Sequence, residues 1–315
     1  MTGAELGGRY AYACFGLDIR SDLPLPEIAP FATVAEPSRE PDIAFTYGPV
    51  DETLADAPTA GLGLQVVDGT TLLTVKDVAR YLVRDGHEII VDPAPSTTER
   101  AVRLFLLGSA FGILFHQRGL LPLHANAIVA KGRAIAFAGR TGAGKSTLAA
   151  HFQHTGYDVL CDDVCVLSFD ESGHPQAWPG LPRLKLWRDA ADSFGHDSAS
   201  LERAVDGLEK YHVPFSRPPA QGPFALKRLY ILESNPDGTA SPITRLRGAA
   251  ACEAVMAHTY RQQYLGPMGL TQRHFQHCIA LLDHIEVYAA PRNWGYDVFT
   301  PEAEKLEHHF LESSA

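Results

Sequence analysis

The stretch Ile135–Ser146, IAFAGRTGAGKS, constrains this chain more than any other, because an apolar run meets a glycine-rich turn that closes on Lys-Ser. Gly139, Gly144, Lys145 and Ser146 satisfy the spacing G-x-x-x-x-G-K-[ST], with Arg140, Thr141, Gly142 and Ala143 between them and Thr147 just after. Glycines at 139, 142 and 144 let backbone N–H groups turn inward without Cβ clashes. The loop then forms a concave anion nest at a helix start, where the macrodipole already favours phosphate. Residues 139–147 are therefore expected to hold a nucleotide, with Lys145 at the β- and γ-phosphates and Ser146 at Mg²⁺. The flanks have the required character. AIAFAG reads as a strand before the loop and STLAAHFQHT as a helix after it, with Gly156 placed to close the helix at C′.

Composition narrows the class. A chain of 315 residues suggests about two domains, at roughly 150 residues each. The formal charge of −10 and the absence of a basic run argue against a nucleic-acid partner. The five cysteines are odd in number, scattered and never in a C-x-x-C pair, which disfavours a disulfide framework or a zinc site and leads us to expect a cytoplasmic protein. MTGAELGGRYAYACFG lacks a secretion signal's basic start and apolar run. Leu104–Phe115 is too short to span a bilayer and begins beside Arg103, so it reads as a buried helix with no membrane partner.

In chain order, Tyr10–Ile19 reads as one strand, followed by the proline-rich LPLPEIAP. From Asp42 to Pro93 short β-like runs alternate with turn residues, and Asp68-Gly69 and Asp85-Gly86 are hairpin signals. This front third reads as a small antiparallel layer for scaffolding or peptide recognition, since no convergent polar groups stand out in it. At Ser96 the period changes. Ser96 and Glu99 match a capping box, and the helix-length apolar run ends at Gly119. The expected division is a β-rich region over 1–95 and a phosphate-loop domain over 96–315. LHANAIVAKGRAIAFAG reads as a hairpin turning at Lys131-Gly132, so the strand that feeds the loop is the second arm of a hairpin. The fold class expected is α/β with a mixed, α+β-like sheet, because ordinary parallel βαβ entry is excluded.

Beyond the loop helix, YDVLCDDV places Asp162 and Asp163 at the end of an apolar strand, where Mg²⁺ and an incoming nucleophile need negative charge. Neighbouring acids in an extended chain point to opposite sides, so the pair is expected to divide its roles. Arg183 and Lys185 alternate in PRLKLW and should share one face, suited to phosphate or to edge protection. Lys210, Tyr211 and His212 follow a helix-like DSASLERAVDGLEKY and are further contact candidates, as are His258, Tyr260 and Arg261. Cys278, His274 and His277 read as helix surface rather than a metal site. Thr300-Pro301 reads as the start of a terminal helix.

His124 in LPLHANAI, the loop GRTGAGKS and the pair in LCDDV resemble, in order and interval, the histidine, phosphate loop and aspartates of the HPr serine kinase/phosphorylase catalytic domain. That domain is itself related to ATP-dependent phosphoenolpyruvate carboxykinase and enters its loop from an antiparallel arm. FGLDI, LPLPEI, YLVRDGHEIIV, RLFLLGSAFGILFHQRGLLPLHANAI, PGLPRLKLW and AHTYR look more like the stand-alone HPr kinase-related proteins found with peptide natural-product genes, including lasso-peptide serine kinases. The resemblance implies a serine kinase using ATP and Mg²⁺. Asp162 would accept the hydroxyl proton, Asp163, Asp162 and Ser146 would serve the metal, and Lys145, His124, Arg183 and Lys185 would act around the transferring phosphate. It implies a precursor peptide with an acceptor serine as partner, and a homo-oligomer, since HPr kinases assemble as hexamers. One departure matters. Where bifunctional HPr kinases carry a glycine- and isoleucine-rich segment tied to phosphorolysis, this chain has PRLKLWRDA. HPr(Ser) kinase/phosphorylase is therefore the alternative expectation, and a non-catalytic ATP-binding module the alternative from another class.

Overall fold

The computed structural model describes residues 9–34, 39–57, 59–60, 63–204, 207–235, 241–293 and 295–312. They fall into two compact units, Met1–Pro122 with Tyr260–Gln276, and Leu123–Thr259 with His277–Ala315.

The first unit carries an eight-stranded sheet. Tyr10–Ile19 is not one strand. Phe15 and Gly16 both take positive φ, which folds the run into a hairpin of Tyr10–Cys14 with Leu17–Ser21. The expected Asp-Gly turns are present at Asp68-Gly69 and Asp85-Gly86, all four residues with positive φ as a type I′ hairpin requires. Most neighbours are antiparallel. Ile43–Tyr47 adds two parallel pairings, to Leu17–Ser21 and Glu88–Pro93, so this layer is mixed around that strand.

The apolar helix belongs to this unit. Its ring contacts explain why. Phe111 meets Phe15 and Phe45 at 5.8 and 5.2 Å, and the Tyr81 hydroxyl donates to the Val102 carbonyl at 2.9 Å. The helix runs Glu99–Phe105, passes through a π-helical turn at Leu106–Ala110, and continues as Phe111–Gln117. Its cap is Thr98, whose hydroxyl accepts from Ala101 N–H, and not Ser96.

The second unit is built on a sheet in which Ala125–Ala130 and Arg133–Gly139 form the expected hairpin, turning at Lys131-Gly132 with positive φ at both. Arg133–Gly139 is antiparallel to its hairpin partner and parallel to Phe224–Ser234. Phe224–Ser234 pairs in turn, parallel, with Glu286–Arg292, a strand the sequence reading passed over. The mixed α/β sheet is thus realised at the strand that enters the loop.

The loop helix is Lys145–His154, with Thr155 as its cap and Gly156 at C′ in positive φ. Its Phe152 stacks on Phe137 of the entering strand at 5.5 Å, and Phe137 stacks on Tyr230 of the parallel neighbour at 5.5 Å. This aromatic column fixes the helix start over the strand end.

Gly139 is needed for space. A Cβ there would lie 2.8 Å from the Leu232 carbonyl oxygen and 3.0 Å from Ala143 Cβ. Gly139→Ala is expected to cost about 1–3 kcal/mol in chemical denaturation, as overpacking against backbone does. An unchanged denaturation midpoint would contradict this packing.

Three further readings are corrected. Among the described residues of DSASLERAVDGLEKY only Ser198–Ser200 is helical, as one 3₁₀ turn, because the backbone after it is bonded to a strand instead: His212 N–H donates to Glu202 O and Ala204 N–H to Lys210 O. The terminal helix spans Tyr296–Glu312 with Pro301 inside it, since the added turn packs Phe299 on the apolar cluster that also holds Leu306 and Phe310. Cys278 and His274 are buried and not surface residues of their helix, Thr271–Leu282. No helix among the described residues is long and apolar enough to cross a membrane.

Candidate active site

The second unit contains a cavity of about 300 Å³ at the glycine-rich loop. Gly144 takes the left-handed conformation that starts the helix (φ 70°), which an L side chain would strain. A Cβ at Gly142 would meet nothing within 4 Å, so the loop is open at that point. The ammonium of Lys145 curls over the loop, donating to the carbonyls of Gly139 at 2.8 Å and Arg140 at 3.3 Å. Burial lowers its pKa, against the opposing pull of Asp162 and Asp163. Asn126 Nδ2 on the hairpin donates to the Lys145 carbonyl, and the Arg292 guanidinium donates to the Ala143 carbonyl.

The two aspartates make different contacts, by a geometry other than the one expected. Asp163 is not extended. Its φ of 74° turns the chain, and both acids reach the same residue of strand Arg183–Trp187. Asp162 Oδ2 accepts from the Lys185 backbone N–H at 2.8 Å, while its Oδ1 accepts from the Ser146 hydroxyl at 2.9 Å. Asp163 Oδ2 accepts from Lys185 Nζ at 2.5 Å.

Their protonation diverges too. Burial, then the charge of Asp163, raises the Asp162 pKa from the ordinary aspartate value. Burial also works against ionisation of Asp163, but the charges of Lys185 and His124 outweigh it and hold that carboxyl well below the usual range.

His124 reaches the cavity from the turn before Ala125–Ala130. Its backbone N–H donates to His258 O at 2.7 Å, and its Nδ1 lies 3.0 Å from the Asp163 carbonyl and 3.4 Å from Oδ1. Burial, then Lys145, lowers its pKa.

Other expected residues separate. In the ribbon of Arg183–Trp187 with Lys210–Pro214, Arg183 and Lys185 do share a face by strand alternation, yet Lys185 lines the cavity and Arg183 does not. Lys210 lines it, Tyr211 is buried on the other face, and His212 is buried beside Arg183 and Lys185. His258 senses Lys145 and His124, whereas Tyr260 and Arg261 pack on Gly112 in the first unit. Trp187, Asp189, Arg292, Asn293, Phe299 and Glu302 also line the wall and were missed. The usable signal was IEVYAAPR, a β-like apolar run ending in a cation.

His212 and His258 both have pKa values pushed down to about 4, in each case by burial first and then by nearby cations. Glu202 Oε2 stands 3.7 Å from His212 Nδ1, beyond hydrogen-bond reach. Because an unfolded histidine titrates near 6.5, the unfolded chain binds more protons between about pH 4 and 6.5. The contribution of these two groups to stability is present above that window and lost as pH falls through it, while the raised Asp162 acts in the opposite sense. Acidification from pH 7 to 5 should therefore lower the melting temperature, and less so in a His212→Gln/His258→Gln variant. An equal drop in both proteins would contradict the assignment.

The donor set suits a hard divalent cation. Ser146 and Asp163 line the cavity and Asp162, which does not itself line it, accepts from the Ser146 hydroxyl; all three offer oxygen ligands only, and Mg²⁺ takes one or two carboxylates with phosphate oxygens and water.

No family model and no curated protein matches the chain. Among solved structures, the HPr(Ser) kinase/phosphatase from Coxiella burnetii is similar over 62% of this chain and 99% of that one, at 13% identity and a TM-score of 0.32.

Proposed function

We propose that this chain is a kinase that transfers the γ-phosphoryl group of ATP to a hydroxyl, with Mg²⁺ bound. The observation that carries the reading is the pairing, beside a phosphate nest, of two adjacent carboxylates whose environments push their pKa values apart. Such divergence is how one site supplies both a proton acceptor and a permanent anion.

Asp162, the more basic of the two, takes the hydroxyl proton as the acceptor oxygen forms its bond to the γ-phosphorus. The bond from that phosphorus to the β,γ-bridging oxygen breaks, and the electron pair leaves with ADP. Lys145 and the loop N–H groups hold the phosphate oxygens in place and stabilise their charge. Asp163, kept ionised by Lys185, and Ser146 would hold Mg²⁺, which when bound neutralises charge on the β- and γ-oxygens.

We infer a serine of a small precursor peptide as the acceptor class, which rests on the sequence resemblance alone; the transfer chemistry rests on the geometry. The test is to incubate the protein with ATP, Mg²⁺ and either a serine-ending precursor-type peptide or HPr, and to follow phosphate addition by mass spectrometry. Modification of the peptide is expected. Modification of HPr alone would favour the HPr(Ser) kinase alternative, and tight ATP binding with no acceptor modified would favour a regulatory module.

One observation favours a second arrangement of the same chemistry. The Ser146–Asp162 hydrogen bond pairs a loop hydroxyl with a carboxylate, as in sites where that pair holds the metal. Under this arrangement high Mg²⁺ should restore transfer by Asp162→Asn. Under the first it should not.

A further inference from the structure

Three ammonium groups face the cavity, from Lys145, Lys185 and Lys210, and they are held in different ways. Lys145 is bonded to loop carbonyls, and Lys185 is ion-paired to Asp163 at 2.5 Å. Lys210 stands opposite Trp187 in the ribbon register, and its ammonium lies 5.8 Å over the indole ring. Among the described residues no carboxylate forms an ion pair with Lys210.

The ribbon explains the placement. Leu184, Leu186 and Val213 are buried in the cluster under the loop helix, so strand alternation turns Lys185, Trp187 and Lys210 to the other face, and all three line the cavity. The charge of Lys210 reaches the reacting groups, since it favours ionisation of both Asp162 and Asp163 and opposes that of Lys145. A cation resting on a part-exposed indole is weakly held, whereas a charge-assisted hydrogen bond to phosphate is strong. A flexible four-carbon stem can make that exchange.

We propose that Lys210 is a further catalytic residue, a cation parked on Trp187 that engages the oxygens of the phosphoryl group as it transfers, with Trp187 as its positioning residue. This rests on the phosphotransfer reading above. In the step, the acceptor oxygen bonds to the γ-phosphorus, the bond to the bridging oxygen breaks, the hydroxyl proton passes to Asp162 and ADP departs. Lys210 gains and loses no proton. It offsets the charge spread over the equatorial oxygens, which is where phosphoryl transfer is most sensitive.

The test needs no identified acceptor. ADP binding is measured by calorimetry with Mg²⁺, in the presence and absence of aluminium fluoride, which imitates the transferring phosphoryl group. Wild type should bind ADP about 100-fold more tightly with the fluoride, as transition-state mimics do. Lys210→Met should bind ADP alone within about 3-fold of wild type and lose most of that tightening, Lys210→Arg should recover part of it, and Trp187→Leu should fall between. Full tightening in Lys210→Met overturns the inference, as does an equal loss with and without fluoride, which would make Lys210 a ground-state contact. Absence of tightening in wild type overturns the phosphotransfer reading and the inference with it.

Discussion

Asp162→Asn is expected to lower phosphoryl transfer by about 10²–10⁴-fold while ATP affinity stays within a few-fold of wild type, the loss typical of removing a general base. The substitution is nearly isosteric and keeps an acceptor for the Ser146 hydroxyl or the Lys185 N–H. It removes the proton affinity that burial and Asp163 have raised. Stability should change little or rise, because a buried carboxylate is exchanged for a neutral amide. Steady-state transfer, nucleotide titration and a melting curve on the same sample check the three parts. A variant with wild-type turnover would remove Asp162 from the chemistry. A variant that loses ATP binding in step with turnover would make it a metal or nucleotide ligand instead.

Lys145→Met is expected to act on the other side of the reaction, weakening ATP binding by about 10–100-fold through loss of charge-assisted hydrogen bonds to phosphate. The protein should fold as before. Lys145 is buried, its pKa is lowered by that burial, and its described hydrogen bonds go to the carbonyls of Gly139 and Arg140. Fluorescence titration with ATP together with thermal denaturation separates the two effects. Unchanged affinity would mean that phosphate does not occupy the nest.

What was legible in the sequence follows the range of the interactions involved. The loop, its entering hairpin and its helix are set by glycines, by a Lys-Gly turn and by local periodicity, all of which act within a few residues. They stand where the residue pattern puts them. Asp162 and Asp163 were found as candidates, but their geometry was misjudged because a positive φ at a non-glycine residue is imposed by tertiary contacts, here those with Lys185 and His124. Arg183 and Lys185 read alike as alternating cations. Only the packing of the ribbon decides that one lines the cavity and the other does not.

Arg292 and its neighbours were missed for the same reason. They arrive about 150 residues after the loop in sequence and reach it through parallel pairing of Glu286–Arg292 with Phe224–Ser234, a non-local pairing that no local pattern announces. The helix break between the two strands of the ribbon was likewise invisible, because Glu202–Ala204 has helical composition but is claimed by hydrogen bonds to Lys210 and His212.

The central claim is spatial, and one measurement addresses it directly: the position of the γ-phosphate in a crystal structure of the protein with Mg²⁺ and a non-hydrolysable ATP analogue. A γ-phosphate oxygen is expected within about 3 Å of Lys145 Nζ, with the Asp162 carboxylate close enough, at about 3 Å, to receive a proton from an attacking hydroxyl. A triphosphate lying in the nest with its terminal group turned away from the aspartates, toward Asn293 and Phe299, would contradict it.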